Sequence, residues 1–184
     1  MEELKLFMVL LGCRPPGRNT EQHDVFFGIA ETIKDLVPQI KKFWPGAGKI
    51  HVDAWREVTL VNGFAIQVVT KSENENREHR LYFLNLGGYK EHEFDEFHYK
   101  LLVVANDKNE AIREARKTAF YKHTSIKGAP SHIDDKFGVD VDDLHQVKDI
   151  LTPELKAHYS LRILPATTTK TDDLHLGYFP FDKL

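Results

Sequence analysis

The chain opens on an almost unbroken apolar run, Leu4 to Leu11, that ends at Gly12. Such a run is too short to span a membrane and suits a strand buried on both faces, central in its sheet. His79 to Leu86 repeats the pattern, with Asn85 as its one polar intrusion. Val25–Ala30 and Leu101–Ala105 read as second strands. A helical period follows each. Asp107 is an N-cap with Glu110 three residues on, and Ile112, Ala115 and Ala119 keep helical spacing. Thr32 and Asp35 hold the same offsets earlier in the chain, and Leu36, Val37, Ile40, Phe43 and Trp44 form the apolar stripe. Pro38 is tolerated only in a first turn, which places that helix start at Asp35. Trp55–Val61 and Phe64–Thr70 flank the hairpin signal Asn62-Gly63. Gly138–Val141, Leu144–Val147 and Tyr159–Leu164 are the later strands, and Thr152-Pro153-Glu154 starts a short helix. The tail from Pro165 is polar, then aromatic, and is expected to drape over the body.

The two patterns are the same pattern. A shift of 75 positions superposes Leu6 on Leu81, Leu11 on Leu86, Gly12 on Gly87, Glu21 on Glu96, His23 on His98 and Ala30 on Ala105, without a gap. Further on, a shift of 81 brings His51-Val-Asp53 onto His132-Ile-Asp134, which requires an insertion within Lys122–Ser131. The expected fold class is therefore α+β: two tandem β-β-α-β-β repeats related by pseudo-twofold symmetry. The expected divisions are 1–71, 79–164 and a tail at 165–184, with a polar linker between the repeats.

Composition narrows the class of protein. At 184 residues, 41% hydrophobic and 29% charged, the chain has the balance of a globular protein. The net charge of -3, with no basic stretch interleaved with aromatics, argues against nucleic acid as a partner. No membrane-spanning run or leader pattern is visible, so the expected location is the cytoplasm. The single cysteine, Cys13, allows no disulfide within the chain and suits a reducing compartment.

Several runs carry a family resemblance. Tyr82-Phe-Leu-Asn-Leu-Gly-Gly-Tyr89, Glu96-Phe-His98, Val103-Val-Ala105 and His132-Ile-Asp134, with the earlier Leu10-Leu-Gly12, Glu21-Gln-His-Asp24 and His51-Val-Asp53, resemble the bacterial domain of unknown function numbered 1543. The resemblance covers about residues 4 to 164 and implies one or two copies per chain in a soluble bacterial protein. It implies no activity. Cys13 stands where the later copy has Gly88, a departure from the Gly-Gly pattern.

The candidate chemistry lies in the paired motifs. On a strand, residues two apart share a face, so Glu21 with His23, and Glu96 with His98, converge. If His51 and Asp53 fold back on the first pair, and His132 and Asp134 on the second, each copy gathers two imidazoles and two carboxylates. Such a set suits zinc, iron or manganese, held through His23, His51, His98 and His132. The same set could be an acid–base pair, and the favoured reading is of histidines that pin strands through a carboxylate. Arg14 and Arg18, after the glycine of the first strand, are candidates for an anion site in the first copy only. Cys13 beside Arg14 offers a nucleophile and the acidic run Asp140, Asp142 and Asp143 a calcium site, but they read rather as packing and, without the EF-hand glycine and terminal glutamate, as a solvated strand edge.

The function expected is a non-enzymatic tandem module binding an unknown small molecule or protein through the loops after its first strands and the His-x-Asp turns. A metal-dependent, hydrolase-like enzyme and a homo-oligomeric assembly protein are the alternatives. No cofactor is expected, a divalent metal being the exception the residues allow.

Overall fold

The computed structural model describes residues 3–71, 78–89, 92–117, 140–168 and 170–184. The chain divides into two compact units, Met1–Glu75 with Leu151–Leu184, and Asn76–Ile150. The α+β class holds: antiparallel sheets dominate each unit and short helices pack beside them.

In the first unit β1 (Lys5–Cys13) is the apolar run and lies inside a sheet of order β10-β3-β1-β2. Here β2 is Gln22–Ala30, β3 is His51–Glu57 and β10 is His175–Phe179. Phe7, Val9, Leu11 and Cys13 alternate along one face of β1 and pack with Phe26, Leu36, Ile40 and Val52. Leu36 closes a 3-10 turn, Ile33–Leu36, and Ile40 belongs to α1 (Val37–Phe43). Asp35 ties back to Thr32 as read, through its backbone N–H (3.1 Å) and hydroxyl (2.5 Å). The turn there is 3-10 rather than α, and Pro38 falls in the first turn of the α-helix that follows. A second sheet, β4-β5-β9, joins β4 (Leu60–Val61), β5 (Phe64–Thr70) and β9 (Tyr159–Pro165). Asn62 (φ 35°) and Gly63 (φ 87°) make the hairpin turn that the dipeptide announced.

In the second unit β6 (Arg80–Tyr89) is central, between β7 (Glu96–Ala105) and β8 (Asp140–Gln146). Helix α2 (Lys108–Ala115) is capped by Asp107, which accepts from the Glu110 N–H at 2.8 Å. Ala111 and Ala115 bury its inner face with Tyr82, Leu84 and Val103. The short helix α3 (Val147–Ile150) ends this unit, and α4 (Pro153–His158), capped by Thr152, belongs to the first.

Three sequence expectations change. One strand, β8, stands where two were expected, because Leu144 and Val141 both pair with β6 and Val147 opens a helix. The strand expected to close the second copy is β9, and it pairs with β5 in the first unit from Phe64↔Pro165 to Thr70↔Tyr159. The tail does cover the body, by adding β10 to β3.

Three strands of each unit pair in the same order, β2-β1-β3 and β7-β6-β8. Gly12 faces His23 and Gly87 faces His98, a shift of 75 in both partners. The third strand follows a shift of 89, from His51 to Asp140, rather than 81. Gly12 pairs with His51 and Gly87 with Asp140, and each strand carries an irregularity at the matching place, Leu10/Leu11 and Asn85/Leu86. Asp53 and Asp142 are the extra residues there. His132 and Asp134, expected as the equivalents of His51 and Asp53, lie outside the described residues.

Candidate metal centre

In the first unit the site forms where β1 runs out at Gly12. His23 of β2 and His51 of β3 flank the glycine in the ladder. Glu21 precedes β2 by one residue, and the irregularity in β3 releases Asp53 from pairing. The His51 Nε2 atom lies 2.7 Å from Glu21 Oε1 and 3.1 Å from Asp53 Oδ1. His23 Nε2 lies 3.2 Å from Asp53 Oδ2. The histidine expected to fold back onto the Glu-x-His pair does so, and all four side chains meet. The motif that places it is a strand rather than a turn.

The close approach requires Gly12. A Cβ built there would fall on Asp53 Oδ2 and His51 Nε2 and lie 2.9 Å from Glu21 Oε1. The floor of the site is therefore bare backbone. His51 is 6% exposed, whereas the side chains of Glu21 and His23 are 43% and 45% exposed, so the cluster is closed at one end and open at the other. Tyr178 of β10 lays its ring against the His51 ring, centroids 4.3 Å apart.

Hydrogen bonding alone serves this cluster poorly. His51 Nε2 carries at most one proton in the neutral ring yet faces two carboxylate oxygens. Asp53 Oδ2 is buried, with His23 Nε2 at 3.2 Å but no hydrogen bond made. The three close contacts, at 2.7, 3.1 and 3.2 Å, also lie near the edge lengths of a coordination shell. Bonds of about 2.1 Å to a divalent metal put neighbouring ligands about 3.0 Å apart in an octahedron and about 3.4 Å in a tetrahedron. Glu21, His23 and Asp53 each bring one ligand atom within 4.8 Å of the others.

The second unit shows a related group on other residues. Asp142 Oδ2 lies 3.0 Å from His98 Nδ1, and Glu96 Oε2 lies 3.9 Å from His98 Nε2. Asn85 Nδ2 reaches His98 Nδ1 and Asp143 Oδ2, each at 3.3 Å. A Cβ on Gly87 would lie 2.6 Å from Asp142 Oδ2. The acidic run read as a solvated edge therefore sends Asp142 into a side-chain cluster.

Residues 18–68 match the family model described as Domain of Unknown Function (DUF1543). That segment contains Glu21, His23, His51 and Asp53, and the resemblance read from the sequence is borne out there. Four solved chains are similar. One is a protein Il1583 from Idiomarina loihiensis, 25% identical, aligned over 97% of this chain and 98% of that one with a TM-score of 0.63. No curated protein matches.

Other candidates fall outside the four-residue cluster. Arg14 donates to the carbonyls of Asn19 (2.7 Å) and Arg18 (3.4 Å), so its guanidinium braces its own loop. The Arg18 N–H closes a turn on Pro15 (3.2 Å), and its residue is exposed. No described contact brings either arginine to the four donors. Cys13 is buried, and burial first, then the charge of Glu21, pushes its thiol up, away from a reactive thiolate. The Cys13-for-Gly88 departure leaves the cluster intact, because the close approach belongs to Gly12 and Gly87. Trp44 packs on the core as expected, and Trp55 stacks on His175 at 3.7 Å. Sequence reasoning missed Tyr178 and Asp142. The signal for Asp142 was present: at the 89 shift Val52, Trp55 and Val58 meet Val141, Leu144 and Val147.

No helix among the described residues is long and apolar enough to cross a membrane.

Proposed function

We propose that the DUF1543 segment is a divalent-cation-binding module, with Glu21, His23, His51 and Asp53 as the donors. The observation that carries the reading is His51: a buried imidazole nitrogen shared between two carboxylates, one of which keeps a buried oxygen without a hydrogen bond. Two nitrogens and two kinds of carboxylate suit zinc, ferrous iron or manganese better than calcium or magnesium. The open side, at Glu21 and His23, leaves coordination positions for water or for a small anionic ligand. This makes the ligand-binding expectation concrete: the protein holds the cation and the cation holds the ligand.

The test is a titration of chelator-treated protein with zinc and manganese, alongside elemental analysis. About one tightly held cation per chain is expected in the first unit. His23→Ala should bind at least about tenfold more weakly while unfolding within about 1 kcal/mol of the parent. Uptake below about one cation per ten chains, with melting unchanged by either metal, refutes the reading. In that case His51→Ala should cost about 2 kcal/mol or more, the mark of a structural pin between strands.

A further inference from the structure

We propose that the second unit holds a separate and harder cation site, formed by Glu96, His98 and Asp142, which discriminates less in favour of zinc over manganese than the first site does. The inference rests on the reading of the first unit and extends it to residues outside the matched segment.

Three observations lead to it. The strand scheme is shared: Gly12 between His23 and His51 corresponds to Gly87 between His98 and Asp140, with the same irregularity beside each. By that correspondence Asp142 occupies the place of Asp53. The space is also reserved in the same way. Asp142 Oδ2 lies over Gly87 as Asp53 Oδ2 lies over Gly12, and a Cβ at either glycine would collide with the carboxylate. An imidazole completes the group. His98 Nδ1 is 3.0 Å from Asp142 Oδ2, a ligand-to-ligand edge, and Glu96, His98 and Asp142 each present one ligand atom within 4.8 Å of the others.

The difference between the units sets the chemistry. The register position of buried His51 is taken by Asp140. The second imidazole is therefore missing, and Glu96, His98 and Asp142 offer one nitrogen and two carboxylates, a set richer in oxygen than the first. Oxygen-rich sets favour manganese and magnesium, whereas imidazole pairs favour zinc and iron. The side chains of Glu96, His98 and Asp142 are about as exposed as those of Glu21, His23 and Asp53, but the group has no counterpart of the nearly buried His51, so the cation keeps more of its water and is held more loosely.

The experiment uses the full chain and manganese, followed by its electron paramagnetic resonance signal, with zinc competition. Parent protein should show two classes of manganese site, of which zinc displaces the tighter first. Asp142→Asn should weaken the looser class at least about tenfold and leave the tighter class unchanged. His51→Ala should do the reverse. Circular dichroism of each variant checks that the units remain folded, and His98→Ala supplies a second perturbation if Asp142→Asn misfolds. Two classes of which neither Asp142→Asn nor His98→Ala alters the looser one overturn this proposal and leave the first unit's reading standing. Loss of the tighter class alone from the parent pattern, with the looser still sensitive to Asp142→Asn, overturns the first reading and supports this one.

Discussion

Gly12→Ala adds one methyl group at the floor of the first site, and its effect can be worked out from the structure. In an ordinary strand position the change stabilises by roughly 0.5–1 kcal/mol, because the unfolded chain loses freedom. Here the methyl meets His51, Asp53 and Glu21, the last at 2.9 Å. Restoring a contact of about 3.4 Å moves the Glu21 oxygen by about 0.5 Å. The groups in the way are side-chain ends, so the strand survives, at an overpacking cost of about 1–3 kcal/mol. The sign of the stability change therefore reverses. Cation binding suffers too, since metal sites tolerate displacements of only about 0.2 Å, and a loss of at least about tenfold follows. At a cation concentration of about 100 times the parent Kd the parent gains about 2.7 kcal/mol, and a tenfold weaker variant about 1.4 kcal/mol. Urea unfolding with and without zinc measures both quantities. A variant more stable than the parent, with the full zinc increment retained, refutes the close-approach argument.

Asp172→Ala should cost about 3 kcal/mol and free the C-terminal strand. Its buried carboxylate accepts from Arg56 Nη2 and the Thr59 hydroxyl, both at 2.5 Å, and from the Thr59 and Leu60 N–H groups at 3.0 and 3.1 Å. Trp55 fluorescence reports the release, because His175 then leaves its stack, and a loss under about 1 kcal/mol contradicts the anchoring role. Cys13 should resist alkylation at pH 8, at least about tenfold slower than in unfolded chain. Its raised pKa favours the neutral thiol in the fold, so its contribution to stability is complete below the ordinary thiol value and fades as pH rises through the raised one. Native and unfolded protein reacting at one rate would contradict this.

The central strands were legible because burial leaves an apolar run, unbroken in Leu6–Leu11 and interrupted only by Asn85 in Leu81–Leu86. The Glu-x-His pairs were legible because period two is strict within a strand. The third strand of the second unit was not. The His-x-Asp match at the 81 shift outweighed the weaker apolar match at 89, although pairing depends on apolar phase and not on motif identity. The fate of Tyr159–Leu164 was also hidden, since a strand's partner is chosen by tertiary packing and leaves no mark in its own alternation. Tyr178 reaches His51 from 127 positions away, and no local pattern encodes that contact.

The return of Leu151–Leu184 to the first unit makes Asn76–Ile150 an interior passenger in the covalent order. On the ribosome the passenger emerges whole while its host still waits for β9, β10 and Asp172. Synthesis order and folding order are thus inverted, and a stop codon anywhere after Ile150 would harm the beginning of the protein more than its middle.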